Sequence, residues 1–190
     1  MVKASQAISG EIVLDKLLAK LMRLAIENAG AQKGILILAR DGKLLIEASA
    51  AVDSSEVVVQ QSIPVEAFQD LPATVINYVE RTRQAVVLSH AFREGIFTND
   101  SYIAFKRVKS VLCTPIVNQG RLIGILYLSN NLTAGAFTPE RLEVLKVLSS
   151  QAAISLENAR MYAEMEEKVA QRTQELNEKK YATQVTQYTI

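Results

Sequence analysis

Cys113 and His90 are the chain's single thiol and single imidazole. With one of each, the sequence excludes an internal disulfide, a CxxC redox pair and a structural zinc site. A Ser-His-Asp or Cys-His enzyme would have to use His90. Cys113 lies in the apolar run Ser110–Val117, where a cysteine is either a small buried hydrophobe or, given exposure and a depressed pKa, a redox sensor. His90 follows the short apolar run Ala85–Leu88. There it is either a hydrogen-bonded structural residue or a ligand contact. No glycine-rich phosphate loop is present, which removes ATP binding of that kind.

The segment from Ser89 to Val108 carries Phe92, Phe97, Tyr102 and Phe105. A long aromatic loop in a small domain is a functional lid or a helix that the pattern resolves poorly. These aromatics either seal the core beneath the segment or line an apolar pocket, with polar help from His90, Thr114 and Tyr127. Strict strand alternation puts Ile123, Ile125 and Tyr127 on one face, and Gly124 and Leu126 on the other. If Gly124 meets a helix lying on the sheet, Tyr127 faces the pocket. A glycine inside a strand marks such a close approach.

The 190 residues are 49% hydrophobic, with 21 basic and 20 acidic side chains and a net charge of +1. That length supports one domain of roughly 100–150 residues with something added, and the apolar fraction excludes a disordered chain. The balanced charge gives no global field for steering to nucleic acid or anionic lipid. Met1-Val2-Lys3-Ala4-Ser5 lacks the layout of a signal peptide. The longest uncharged stretch, Leu122–Pro139, is broken by Gly124, Asn130, Asn131 and Gly135. No run reaches the ~20 apolar residues of a membrane span. The expectation is a soluble, cytoplasmic chain.

These residues need elements to hold them. Ser9 is placed as the N-cap of a first helix, which ends at Asn28-Ala29-Gly30. Leu14, Leu17, Leu18, Leu21, Leu24 and Ala25 share one helical face, and Ile12, Val13, Met22 and Ile26 widen it beyond one contact surface. Gly34–Ala39 and Lys43–Val52 read as a hairpin about Asp41-Gly42. Glu56–Ile63 reads as a third strand, stopped by Pro64. Leu71-Pro72 opens a helix that buries Val75, Ile76, Tyr78 and Val79. Ser110–Val117 and Arg121–Ser129 form a second hairpin about Asn118-Gln119-Gly120.

Thr138-Pro139-Glu140 is a helix start: cap, first-turn proline and acid at the positive end of the dipole. From Leu142 to Leu156 this helix is apolar on more than one side, so it must bury two surfaces. Tyr162, Met165, Val169 and Leu176 then follow coiled-coil spacing, with Arg172 and Lys179 interrupting it. A solvated helical extension is the alternative. Residues 1–10 form a lead-in, 11–160 the domain, 161–180 a weak coiled coil, and the Thr-rich 181–190 a disordered tail. The candidate dimer-forming residues are Leu14, Leu18, Leu21, Leu148, Ala152, Met161, Met165 and Val169.

The block Ser110-Val111-Leu112-Cys113-Thr114-Pro115-Ile116, the turn at Gly120, Leu122-Ile123-Gly124-Ile125-Leu126-Tyr127-Leu128 and Phe137-Thr138 together resemble a GAF domain over about Leu14 to Glu164. Leu14-Asp15-Lys16-Leu17-Leu18, Glu27-Asn28-Ala29-Gly30-Ala31 and the stretch Glu166–Leu176 are similar to the GAF module of large multi-domain sensor histidine kinases with serine/threonine-kinase-like and ATPase portions. The resemblance implies an α+β fold, an α/β sandwich around a six-stranded, mostly antiparallel sheet. The terminal helices share one face, and a lid on the other can enclose a small ligand. It also implies a parallel homodimer through the terminal helices, acting on kinase domains of the same parent chain.

Bilin-binding relatives attach their chromophore through a Cys-His pair on the lid, where this chain has Thr98 and Asn99. No thioether forms there, and no cofactor is expected. The cyclic-nucleotide signature is matched at Asn130 and Phe137. It fails at Asn131 and at Arg141-Leu142, where its Lys and its Asp-Glu should stand. Methionine-sulfoxide-reducing relatives need a resolving second cysteine. His90 lacks the acidic-Arg-Thr-Pro context of kinase phospho-histidines. The expectation is a non-catalytic sensory domain without a metal. It binds a small ligand and relays its state to a histidine-kinase output in two-component signalling. A ligand-free dimerisation module is the alternative, ahead of a bilin photosensor or redox sensor.

Overall fold

Two hairpins and the strands beside them build one six-stranded sheet in the order β3-β2-β1-β6-β5-β4. In the computed structural model the described residues are 2–53 and 57–187, with side chains described for 14–53, 57–59 and 62–179. The strands are β1 (Lys33–Arg40), β2 (Lys43–Ala51), β3 (Val58–Pro64), β4 (Val86–Leu88), β5 (Ser110–Asn118) and β6 (Arg121–Asn130). Every described pairing is antiparallel. The β1–β2 turn places Asp41 and Gly42 at φ 50° and 74°, the left-handed pair that matches hairpin twist. Gln119 and Gly120 repeat it between β5 and β6. The third strand was expected over Glu56–Ile63; it is β3, and residues 54–56 lie outside the described residues.

Helix α1 (Val2–Ala29) and helix α4 (Pro139–Gln187) pack together on one face of the sheet. Helix α1 begins well before the expected cap, so Ser9 and Gly10 lie within it. Its first residues, Val2-Lys3-Ala4-Ser5-Gln6-Ala7, include good helix formers. The widening residues Ile12 and Val13 fall outside the described side chains. Gly30 ends the helix at φ +65°, with the Ala31 amide donating back to the Ile26 carbonyl at 3.1 Å. Thr138 caps α4 as expected: its Oγ1 accepts from the Arg141 amide at 3.5 Å and its carbonyl from the Leu142 amide at 3.0 Å. The helix runs on through Gln187, so the Thr-rich segment from Tyr181 is helical there and not the disordered end its composition suggested. Helix propagation adds one backbone bond per residue, and this outweighs the weak propensity of threonine.

Between them the two terminal helices bury Leu18, Met22, Ala25, Leu145, Ala152, Ala153 and Leu156 against Leu36, Leu38, Leu112, Leu126 and Leu128 of the sheet. Leu18 and Ala152 are thus spent inside the protomer and cannot form a dimer surface, because each is buried where the two helices meet the sheet. Leu14, Leu21 and Leu148 are half-buried beside them. Met161, Met165 and Val169 are exposed, together with Val144, Val147 and Ile154.

The opposite face carries helix α2 (Ala73–Thr82) and helix α3 (Ser101–Lys106). They cover Ile35, Ile37, Val111, Cys113, Ile125 and Tyr127. The segment expected to be irregular contains α3, and its ends are tied side by side. The Ala91 amide donates to the Lys109 carbonyl at 2.7 Å and the Phe92 amide to the Val108 carbonyl at 3.1 Å.

Gly124 sits at a bulge in β6: Ile116 pairs with Gly124 but Val117 with Leu122. The extra residue reverses the alternation. Ile123 therefore packs with the terminal helices and Leu122 with the lid, opposite to strict alternation, while Ile125 and Tyr127 face the lid as expected. The close approach at Gly124 is made by the backbone of β1 at Ile37, and not by a helix.

Candidate functional site

Asp100 and Asp70 assemble the lid. Asp100, 5% exposed, caps α3 by accepting from the Tyr102 and Ile103 amides at 2.9 and 3.2 Å. Its second oxygen accepts from the amide and hydroxyl of Thr74 at 3.1 and 2.6 Å. One carboxylate thus joins the start of α2 to the start of α3. Asp70, just before α2, pairs with Lys33 at the head of β1 and faces Lys106 of α3 at 3.7 Å.

Lys33 also donates to the Asp70 carbonyl at 2.8 Å and to the Tyr102 hydroxyl at 3.2 Å. Burial pushes the Lys33 ammonium below its ordinary value, and the pairing with Asp70 only partly offsets this. Burial raises the Asp70 carboxyl, but the hydrogen bond and charge of Lys33, with Lys106, outweigh it and hold the carboxyl below its usual value. Burial, with the Asp70 charge nearby, pushes the Tyr102 phenol up to about 12.

Tyr127 lies beneath this cluster, paired across β6 with Ile35 of β1 and Cys113 of β5. It is 0% exposed, and its hydroxyl has no hydrogen-bond partner. Tyr102 and Ser129 are its polar neighbours. Burial first, then the neighbouring Tyr102, pushes its ionisation well above the ordinary value. Leaving a buried donor unpaired costs about 1–3 kcal/mol.

The structure therefore brings together Tyr102 and Tyr127 of the expected pocket and disperses the rest. Phe97 is buried edge-to-face against Tyr78, with centroids 5.5 Å apart. Phe92 has the Arg93 and Arg107 guanidiniums over its ring, 5.2 and 5.4 Å from its centroid. Phe105 is 83% exposed on the outer side of α3 and lines nothing; the six-residue helix turns Ile103 inward in its place. Thr114 is in step with Leu112 and Ile116, which belong to the helix-covered face, so it lies on the wrong side of the sheet. His90 is half-buried and contributes its carbonyl, which accepts from the Arg93 and Glu94 amides. Cys113 is fully buried, and desolvation pushes its thiol strongly upward.

Thr98 donates to the Gly95 carbonyl at 3.4 Å, and Asn99 is exposed beside it. Asn130, one of the matched nucleotide-signature residues, is occupied structurally. It donates to the Gly30 carbonyl and accepts from the Leu132 and Thr133 amides, each at 2.9 Å. Phe137 is buried with the terminal helices. Among the described residues, no cluster of His, Cys, Asp and Glu is arranged to hold a metal ion.

Lys33, Asp70 and Asp100 escaped the sequence reading. Asp100 carried a signal, an aspartate just before a short helix. Lys33 and Asp70 carried none, because their pairing depends on how the lid folds back over β1. An open groove of about 700 Å³, lined in part by Arg40, Arg121, Glu157 and Glu164, lies where α4 leaves the sheet, away from the lid.

A six-stranded antiparallel sheet with paired terminal helices on one face and a tied lid on the other defines an α+β sandwich. The GAF domain family matches residues 13–156, and the chain belongs to that family. It is 27% identical to a hybrid signal transduction histidine kinase G of Dictyostelium discoideum, over 85% of this chain and 8% of that protein. It is 24% identical to the peroxide stress-activated histidine kinase mak3 of Schizosaccharomyces pombe, over 88% of this chain and 7% of that protein. The chain thus spans less than a tenth of these curated relatives. The PixJ GAF domain of Thermosynechococcus elongatus, in its blue-light absorbing form, shares the fold at a TM-score of 0.60 and 17% identity, covering 86% of this chain and 94% of that one. The second GAF domain of DevS from Mycobacterium smegmatis does so at a TM-score of 0.54 and 23% identity, covering 79% and 97%. The chain is a GAF sensory and regulatory domain related to histidine-kinase signalling. No described helix is long and apolar enough to cross a membrane.

Proposed function

We propose that this domain is a non-catalytic sensor that binds a small ligand between sheet and lid and relays its state through the terminal helices to a histidine-kinase output in the cytoplasm. The observation that carries this reading is the buried, unpartnered Tyr127 hydroxyl beside Tyr102, whose own hydroxyl is held by Lys33. The relay has a physical path in β1. Lys33, Ile35 and Ile37 face the lid, while Leu36 and Leu38 of the same strand pack with α1 and α4. A ligand that prefers one lid position shifts the helix packing by its differential affinity for the two states.

The exposed apolar side chains of α4 support a parallel homodimer and continuity into kinase domains of the same parent chain. Beyond Leu156, Met161, Tyr162, Met165, Val169 and Leu176 are all exposed, and a helix with such residues gains by burying them against a second copy. Thr98 and Asn99 offer no thiol, which argues against a thioether-linked bilin. The name of the fission-yeast relative invites a peroxide reading for Cys113. Complete burial argues against it, since thiol oxidation needs thiolate and access.

A second reading, a ligand-free coupling module, is favoured by the packing of the lid face, where Ile35, Ile37, Cys113, Ile125 and Tyr127 are all 0% exposed. Native mass spectrometry of the protein incubated with a metabolite extract separates the two. A retained small molecule that slows amide exchange in the lid is expected. Absence of any retained mass, with unchanged exchange, would leave the coupling module.

A further inference from the structure

We propose that the ligand under the lid is a small molecule bearing a carboxylate, which takes the place of Asp70 on Lys33. This rests on the reading that the domain binds a ligand at this face, and it names the chemical class.

The cluster already recognises a carboxylate, because Asp70 occupies it. Lys33 gives Asp70 a charge-assisted bond and adds a bond to its carbonyl. Such ionic hydrogen bonds are about twice as strong as neutral ones. Asp70 is held from the surface, with its side chain 51% exposed, while the Lys33 side chain is 22% exposed. The carboxylate is therefore the more solvent-accessible partner and the ammonium the more buried one. If Asp70 swings outward, Lys106 on α3 remains beside it, so the displaced acid keeps a cation and its movement bears on the lid helix.

The vacated position offers donors of the right kind. Lys33 supplies a positive charge and the Tyr102 hydroxyl lies 3.2 Å from it. The Tyr127 hydroxyl, fully buried and unpaired, has Tyr102 and Asp70 as electrostatic neighbours. A carboxylate has two oxygens and about four acceptor sites, enough for all three donors. A neutral amide lacks the charge to replace Asp70 on the ammonium. Asp70 acts as a tethered competitor, since an attached group holds a high effective concentration at its site. It sets the threshold that a free acid must exceed.

The test uses the full chain with ring-labelled tyrosine. Tyr102 and Tyr127 signals are assigned from Tyr102→Phe and Tyr127→Phe. Acetate, malonate and succinate are titrated at constant ionic strength, with acetamide and inorganic phosphate as comparison probes. In Asp70→Asn, carboxylates should shift both tyrosine signals saturably, about tenfold more tightly than in the unaltered chain, the scale of one charge-assisted bond. Lys33→Gln should remove the response and Lys33→Arg should retain it. The proposal is overturned if acetamide or phosphate acts as well as the carboxylates. It is equally overturned if the response survives Lys33→Gln, or if no carboxylate gives a saturable shift in Asp70→Asn. A neutral metabolite retained in native mass spectrometry would overturn the carboxylate class and leave the sensor standing. No retained metabolite and no carboxylate response would remove both.

Discussion

Gly124 and Ile37 meet so closely across the β1–β6 pairing that a Cβ on Gly124 would overlap the Ile37 carbonyl oxygen. The contact is backbone on backbone, so no side-chain rotation relieves it. Gly34 is also tight, but its added Cβ would meet the flexible end of Met22 at 2.7 Å and a Leu128 methyl at 3.0 Å. Gly124→Ala should therefore destabilise the fold by about 3 kcal/mol and Gly34→Ala by about 1 kcal/mol, in the range for overpacking. Urea unfolding checks the order; equal losses would mean that the β6 bulge relaxes freely.

Asp100 accepts four hydrogen bonds from two helix starts, and its loss should free the lid before it weakens the sheet. Asp100→Ala should cost about 2 kcal/mol, the upper range for a helix cap. Amide exchange should rise across 89–107 and the first turn of α2, while β1 and β6 stay protected. Uniform acceleration over both regions would show that lid and sheet open together.

Tyr127→Phe tests the unpaired hydroxyl. The ring's packing is kept and an unsatisfied donor removed, so stability should stay level or rise by about 1 kcal/mol. A clear loss in chemical denaturation would mean that the hydroxyl has a partner, such as a buried water. Tyr102→Phe should instead lower stability, because its hydroxyl accepts from Lys33.

The lid cluster also fixes the signs of two pH effects. Tyr102 ionises at about 12 against an ordinary 10.0. Its stabilising contribution is complete below pH 10 and is lost as pH rises through about 12. Asp70 has the opposite sense. Its lowered pKa contributes stability above the ordinary carboxyl value of 3.8, lost as pH falls through the folded value. Ultraviolet tyrosinate titration of the unaltered chain against Tyr102→Phe should show one late-titrating tyrosine fewer in the variant, with the late step of Tyr127 retained. An unchanged titration curve would remove Tyr102 from the cluster.

The parts legible in the sequence were those with local causes. Asp41-Gly42, the Thr138-Pro139 cap and Gly30 each act through their own backbone, and each stands where its chemistry placed it. The unusual apolar width of both terminal helices pointed to extensive burial, although it did not show that Leu18 and Ala152 are buried within the protomer. What failed was set by register and distance. One extra residue at the β6 bulge moved Ile123 to the helix side, and plain alternation in β5 left Thr114 off the lid. Phe105 looked like a pocket residue because it is aromatic, but the short α3 turns it to solvent. Lys33 and Asp70 are 37 residues apart, and no local pattern couples them.

Met161 and Met165 are 55% and 60% exposed in a single protomer and belong to neither core cluster, so replacing them isolates assembly from folding. In the double variant Met161→Glu, Met165→Glu, the thermal midpoint of the sheet domain at low protein concentration should be unchanged, since surface substitutions away from packing move stability by about 0.5 kcal/mol or less. Light scattering at high concentration should fall from the mass of two chains to that of one. Charges placed in an apolar helix seam cannot be buried without partners, so a dimer built on this stripe has no means of accommodating both. A variant that keeps the mass of two chains would place the interface elsewhere, on Val144, Val147 and Ile154. An unaltered chain that is already single at high concentration would remove the homodimer and leave α4 as a connector alone.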